Sequence, residues 1–296
     1  MSAPKILKED FSNLTRSGAA LYQMRPCTWW KAMGYIYRTE SGRIFCIDGG
    51  NPEETDLFLA LLRAVSGTPK GQPCPIDGWF LTHPHEDHLG VFFDTVEKHA
   101  DEVEITSVYH HLPPTAYIEK YEPQNAGTMR EYDHLHPLFA HREVILTEGD
   151  RLDFGEVSFD VLSEPDTSIT ADACNASTVA IRMTAAGQTV LFLADMSAEA
   201  GDVLLAKYGD SLRADLCQVA HHGSGGAKMD VYRAVSPKAC LWCTPDWLWT
   251  NDEGKGYGTG SHATFTTRCF LYDLGVRHHY VQKDGIWEIP LPWSET

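Results

Sequence analysis

The chain has 296 residues, 43% of them hydrophobic, ample for a buried core and against a disordered or fibrous protein. Its 41 acidic residues outnumber 24 basic ones for a net charge of −17, which repels phosphate backbones, so stable binding to long nucleic acid is not expected. No apolar stretch, Leu57–Val65 and Thr189–Ala194 included, approaches the ~20 residues that span a bilayer, so no membrane partner is expected either.

In chain order, the opening stretch Met1–Asp10 carries charges where a secretory apolar stretch would lie, which points to a cytoplasmic protein. Met33–Tyr37 and Arg43–Asp48 read as strands, the second ending in a Gly-rich turn, and Glu54–Ala64 as a helix with Leu57, Leu61 and Leu62 on one face. Ile76–Thr82 is a short apolar strand that runs into a burst of histidines, followed by a helix that includes Val91–His99. Val103–His110 reads as one further strand. The stretch from Leu112 to His141, with four prolines, reads as an irregular excursion of the kind that forms lids over sites. Short strands are expected at Glu143–Leu146, Val157–Leu162, Thr178–Met183, Gln188–Leu193, Leu212–Ala220, Lys238–Thr244 and Val276–Gln282, with helices at Ala198–Tyr208 and Ala263–Leu274. No linker or repeat divides the chain, so residues 1–296 are expected to form one layered α/β domain whose strand ends supply the site.

Eight scattered cysteines read as reduced core thiols in so apolar a chain. Cys240 and Cys243 form a C-x-x-C, but in a strand residues i and i+3 face opposite sides, so a shared zinc or redox role is not expected.

The informative segment is Leu81-Thr-His83-Pro-His85-Glu86-Asp87-His88-Leu-Gly90. In extended chain His83 and His85 project to the same side and can share one cation. Asp87 and His88, where the chain turns into a helix, can converge on a second.

This H-x-H-x-D-H arrangement resembles the signature of the metallo-β-lactamase superfamily. Phe45-Cys-Ile-Asp48-Gly49-Gly50 resembles the family's first motif, Val190–Asp195 its strand ending in a metal-bridging aspartate, and Ala220-His221-His222-Gly223-Ser224 its late histidine motif. Within the family, His-His-Gly-Ser, Asn175-x-Ser177-x-Val179 and Glu148-Gly-Asp-Arg-Leu-Asp resemble the hydrolase domain of ComEC-type competence proteins and phosphorylcholine esterase. The resemblance implies a four-layer αββα sandwich. It also implies two divalent metal ions, zinc first, with manganese or iron as alternatives. Their ligands would be His83, His85, Asp87, His88, Asp195 and His222. Asp48 would support the metal loop without ligating. Asn175 stands where many members carry a third histidine, which would weaken the first site or change its metal preference.

Asp195 ends an apolar strand, where an unpaired carboxylate is costly and a metal partner removes the cost. His221 and His222, taken as extended chain, face opposite ways, so His222 is preferred as ligand and His221 as substrate contact, with the reverse assignment open. Ser224 reads as a turn residue rather than a nucleophile. His262, ahead of a helix, resembles a late active-site histidine that would contact an anionic substrate. His110, His111, His134, His136 and His141 are not expected to ligate, and Trp242, Trp247 and Trp249 are expected in the core more readily than along a substrate cleft.

The chemistry these residues imply is hydrolysis by a metal-bound hydroxide oriented by Asp87 or Asp195, and the resemblance implies a small phosphodiester or phosphocholine-like ester as its substrate. Alternatives are a hydrolase acting at a carbonyl (lactonase, thioesterase or β-lactamase-like), a competence-type nuclease, and a metal-binding regulatory domain without turnover. The charge balance argues against the nuclease. The oligomeric state is not legible.

Overall fold

The structure is a computed structural model that describes residues 3–295; Met1, Ser2 and Thr296, which begin and end the expected domain, lie outside the described residues. The first half of the chain forms β1 (Lys5–Ile6), β2 (Ala20–Gln23), β3 (Gly34–Arg38), β4 (Ile44–Asp48), α1 (Thr55–Ser66), β5 (Cys74–Ile76), β6 (Gly78–Leu81), α2 (Glu86–Lys98), β7 (Val103–Ile105), β8 (Val108–His110), α3 (Thr115–Tyr121), α4 (Ala126–Phe139) and β9 (Glu143–Ile145). The second half forms β10 (Arg151–Asp153), β11 (Val157–Val161), α5 (Ala173–Ala176), β12 (Ile181–Ala185), β13 (Gln188–Phe192), α6 (Ala198–Tyr208), β14 (Leu216–Gln218), α7 (Met229–Val235), β15 (Ala239–Trp242), α8 (Asp246–Trp249), α9 (Thr264–Asp273), β16 (His278–Val281) and β17 (Trp287–Pro290).

One eight-stranded sheet runs β1-β17-β2-β3-β4-β6-β8-β9, and a seven-stranded sheet runs β10 to β16 in chain order. Strand alternation creates the layers. Tyr35, Tyr37, Phe45 and Ile47 point to the second sheet and pack with Phe159, Met183, Val190, Phe192 and Leu241, while Ile36, Ile44 and Cys46 point the other way onto α1 and α2. Leu191, Leu193, Cys217 and Cys240 face α6, α7 and α9. The product is the expected four-layer αββα sandwich. Cys240 and Cys243 lie on opposite sides of the second sheet, in separate core clusters. Among the described residues no helix is long and apolar enough to cross a membrane.

Several expectations fail in instructive ways. The excursion over 112–141 is not irregular: Pro114 precedes α3, Pro123 opens a short 3₁₀ turn and Pro137 falls in the last turn of α4, so three of its prolines sit near helix ends. Val103–His110 is two strands, not one: β7 pairs with β5 in a separate two-stranded sheet, and β8 joins the large sheet beside β6. The strand expected over Leu212–Ala220 is only Leu216–Gln218, preceded and followed by 3₁₀ turns.

Candidate metal centre

Parallel strands β4, β6 and β8 of the first sheet, and β13, β14 and β15 of the second, run the same way, and the chemistry-bearing residues follow their carboxyl ends. Asp48 closes β4, His83 and His85 follow β6, Asp195 follows β13, and His221 and His222 follow β14. The turns are tight. Asp48, Ala194, His221 and His222 have φ of 51°, 44°, 50° and 53°, left-handed conformations that cost non-glycine residues on the order of 1–3 kcal/mol each and concentrate at functional sites. The extended geometry expected for His221-His222 is therefore wrong, although the two imidazoles still part company. At Gly90, in the first turns of α2, a side chain would run into Pro52, so glycine lets the helix that carries Asp87 and His88 lie against the loop after β4. His88 O there accepts the Gly49 N–H at 2.9 Å.

Two overlapping groups of donor atoms result, with members of each within 4.8 Å of one another: Asp87, His88, Asp195 and His222 in one, His83, His85 and Asp195 in the other. Asp195 belongs to both. His222 Nε2 lies 3.1 Å from Asp87 Oδ2 and 3.3 Å from Asp195 Oδ2, and His88 Nε2 lies 3.3 Å from Asp195 Oδ1. The far side of each ring is already held. His88 Nδ1 meets Asp48 Oδ2 at 2.7 Å, and His222 Nδ1 donates to Cys243 O at 2.6 Å. Thr82 Oγ1 donates to Asp48 at 2.7 Å and contacts His83 Nδ1 at 3.1 Å, which turns His83 Nε2 toward His85 Nδ1 at 3.2 Å.

The fit to divalent metal rests on what these contacts leave undone. His88 Nε2, His222 Nε2 and both oxygens of Asp195 are buried and make no hydrogen bond, because their close approaches lack the geometry for one. Four buried polar atoms without partners in one cluster are costly unless a cation takes them. The charges agree. Burial would raise Asp195, but His222, His88 and His221 hold its carboxyl well below the usual range. Burial would lower His88, but Asp195 and Asp48 outweigh it and push it up to about 10. Burial and the neighbouring His88 and His85 hold His83 well below its ordinary value, as a neutral imidazole fit to ligate.

His221 is half-buried with Nε2 3.8 Å from Asp195 Oδ2, at the edge of the cluster, and burial pushes its pKa down to about 4. Asn175 is buried, with Nδ2 on Asp172 Oδ1 at 3.0 Å and Oδ1 unpartnered. His262 is not among the clustered donors: its Nε2 pairs with Glu253 at 2.9 Å and its ring lies edge-on to Trp247. Ser224 Oγ donates to His221 O, as a turn residue does. His110 and His136 both meet the Glu143 carboxylate and His111 meets Leu146 O, which uses their donors elsewhere. The tryptophans divide: Trp242 is fully buried with Trp249 edge-on to it, whereas Trp247 stacks on exposed Trp29 at 4.8 Å.

Residues that the motifs did not point to complete the surroundings. A cavity of about 650 Å³ opens beside His85 and Asp87, walled by Trp30, Lys31, Glu53, Glu86 and, from the helical excursion, Asn125 and Glu131. Glu122, in the turn between α3 and α4, faces His85 from within the excursion. Burial would raise it, but His85, the Cys174 N–H and Asn125 hold it down to about 2. No sequence motif marks Glu122; the only signal was that a carboxylate sat in a long segment near a metal loop.

An αββα sandwich with a buried His/Asp cluster at its strand ends defines a class of metal-binding enzymes. A family model for the metallo-β-lactamase superfamily matches residues 28–224, and the chain belongs to that superfamily. No curated protein sequence matches it. Among solved structures it is similar to Zn²⁺-bound PqqB from Methylobacterium extorquens, with 12% identity and a TM-score of 0.51 over 84% of this chain and 86% of that one. It is similar also to CmlA, a diiron β-hydroxylase from Streptomyces venezuelae, with 13% identity and a TM-score of 0.51 over 94% of this chain; it spans 55% of that longer protein. The metallo-β-lactamase fold protein YhfI from Bacillus subtilis matches with 16% identity and a TM-score of 0.48, over 91% of this chain and 99% of that one. At these identities the likeness is one of fold.

Proposed function

We propose that the protein is a hydrolase of small phosphodiesters that works with two divalent ions, one at His83, His85 and Asp195, the other at Asp87, His88, Asp195 and His222. The observation that carries this is the pair of donor groups sharing buried Asp195 beside an open cavity. Such ions, when bound, polarise an ester oxygen and bring the pKa of water to about 7, supplying the nucleophile at neutral pH. Zinc is the first candidate, since imidazole and carboxylate suit it; manganese and iron suit much the same donors.

The chain's own residues set the rest. Asp87 and Asp195 accept hydrogen bonds from the attacking water and orient it. His221, neutral and at the rim, donates to a substrate oxygen, and Lys31 in the cavity wall attracts the anionic group. The same cavity wall carries Glu53, Glu86 and Glu131 together with the exposed indole of Trp30. Carboxylates beside an aromatic face favour a substrate whose far end is cationic, as in a phosphocholine-like ester, and repel a polyanion. This supports the resemblance to phosphorylcholine esterase over a competence-type nuclease. We propose further that α3 and α4 act as a lid over this cavity.

The test is a panel of bis(p-nitrophenyl) phosphate, p-nitrophenyl phosphorylcholine, a lactone, a thioester, a β-lactam and single-stranded DNA, with zinc, manganese or iron added. Fastest turnover of the choline ester is expected. Faster cleavage of DNA or of a carbonyl substrate overturns the proposal in favour of that class, and no turnover of any substrate by metal-loaded protein favours a regulatory domain.

A further inference from the structure

The His85 ring stands between two environments. Its Nδ1 faces the metal cluster, 3.2 Å from His83 Nε2. Its Nε2 faces the turn between α3 and α4, 3.1 Å from Asn125 Nδ2 and 3.8 Å from Glu122 Oε1. A neutral imidazole carries one proton. An ion taken at Nδ1 leaves that proton on Nε2, where an acceptor is then required. Asn125 cannot supply it, because its Nδ2 donates to Glu122 Oε1, and an ionised carboxylate, acceptor only, fixes the amide that way round. Glu122 is the nearest carboxylate; at 3.8 Å its Oε1 must close on Nε2, with the Asn125 amide giving way, to accept that proton. It is only 7% exposed, and its other oxygen takes the Cys174 N–H at 2.8 Å, so it is anchored rather than free to turn to solvent.

We infer that Glu122 is a positioning residue for the metal centre: it holds the Nε2–H of metal-bound His85 and thereby ties ion binding to the docking of the α3–α4 segment. The inference rests on the reading that His85 binds an ion through Nδ1. Carboxylate–histidine–metal relays of this kind fix the tautomer and raise ligand basicity. The same carboxylate also meets the backbone just before Asn175, so one side chain joins His85, the helical segment and the short helix α5 that carries Asn175. The rival arrangement is a separate cation held by His85, Glu122 and Cys174, whose donor atoms lie within 4.8 Å of one another. It would need a thiolate where burial and Glu122 push the thiol upward.

The experiment titrates zinc into metal-free parent, Glu122→Gln and Cys174→Ser proteins in competition with a chromophoric chelator. Glutamine keeps the shape and an oxygen for the Cys174 N–H but loses the charged acceptor. Glu122→Gln is expected to weaken one of the bound zinc ions by roughly 10- to 100-fold, as loss of such partners does elsewhere. Its metal-free form should stay folded, with a circular dichroism spectrum like the parent's, and the His85 Nε2–H proton, expected to exchange slowly in zinc-loaded parent by NMR, should exchange faster. Cys174→Ser should bind zinc as the parent does. Indistinguishable zinc affinity in Glu122→Gln overturns the inference while leaving the proposed hydrolase intact. Loss of a zinc ion in Cys174→Ser overturns it in favour of the separate site. A parent protein that binds no zinc removes the underlying metal reading and this inference with it.

Discussion

Asp48 and His88, 40 residues apart in the chain, meet at 2.7 Å with neither exposed to solvent. The carboxylate accepts the Nδ1–H, so it is Nε2, on the Asp195 side, that gives up its proton and offers a lone pair when an ion binds. Asp48→Asn offers an amide donor in that place and favours the opposite tautomer. Zinc affinity should fall by roughly 10- to 100-fold while the fold persists. Chelator competition and far-ultraviolet circular dichroism check the two halves of the statement.

Asp195→Asn replaces the one carboxylate common to both donor groups with a neutral amide that cannot balance two cations. Folded protein with no detectable hydrolysis and fewer ions per chain is expected. Metal analysis beside a turnover assay decides it, and full activity in the mutant would remove Asp195 from the site.

The protonation of His88 gives a pH dependence with a definite sign. In metal-free protein its pKa stands near 10 against an ordinary 6.5, so the attraction of Asp195 and Asp48 for its charged form stabilises the fold fully below pH 6.5 and is lost as pH rises toward 10. Bound metal displaces that proton and strengthens as pH rises. The gap in Tm between zinc-loaded and metal-free protein should therefore widen from pH 6.5 to 10. A gap that narrows would contradict the arrangement.

Gly223, directly after His222, has φ of +78°, and a Cβ there would run into the Trp242 ring. Gly223→Ala should destabilise the protein by about 1–3 kcal/mol through overpacking and backbone strain, and displace His222 enough to weaken zinc binding. Urea unfolding and metal titration of the one variant read both effects.

Trp30 is 60% exposed on the cavity wall and packs little into the core, so its removal tests substrate contact with small risk to the fold. If the cationic end of a choline ester rests on it, Trp30→Ala should raise KM by roughly 3- to 30-fold with kcat little changed. An unaltered KM would place the substrate elsewhere.

The layers and the strand-end position of the cluster were legible in the sequence because strand alternation and the compact H-x-H-x-D-H spacing are local signals. Tyr35 and Ile36 declare their opposite faces within two residues. What was not legible depends on distant partners. β2 gains its place beside β17 only through pairing across nearly the whole chain. The left-handed backbone at His221 and His222 is imposed by the turn after β14 rather than by their own preferences. Glu122 lacks any motif, and the prolines of its segment mark helix boundaries as readily as irregular chain. The pairing of His262 with Glu253 likewise had no signal in the sequence.

The sharing of the donor atoms between the two sheets bears on how the protein comes into being. His83, His85, Asp87 and His88 emerge from a ribosome early, but their counterparts at Asp195 and His222 follow more than a hundred residues later. A nascent chain that ends before Asp195 therefore carries only part of either donor group. On the proposed metal reading, neither donor group is whole until Asp195 has been made, the four-membered one not until His222, and ions bound there would pin the strand ends of one sheet to those of the other.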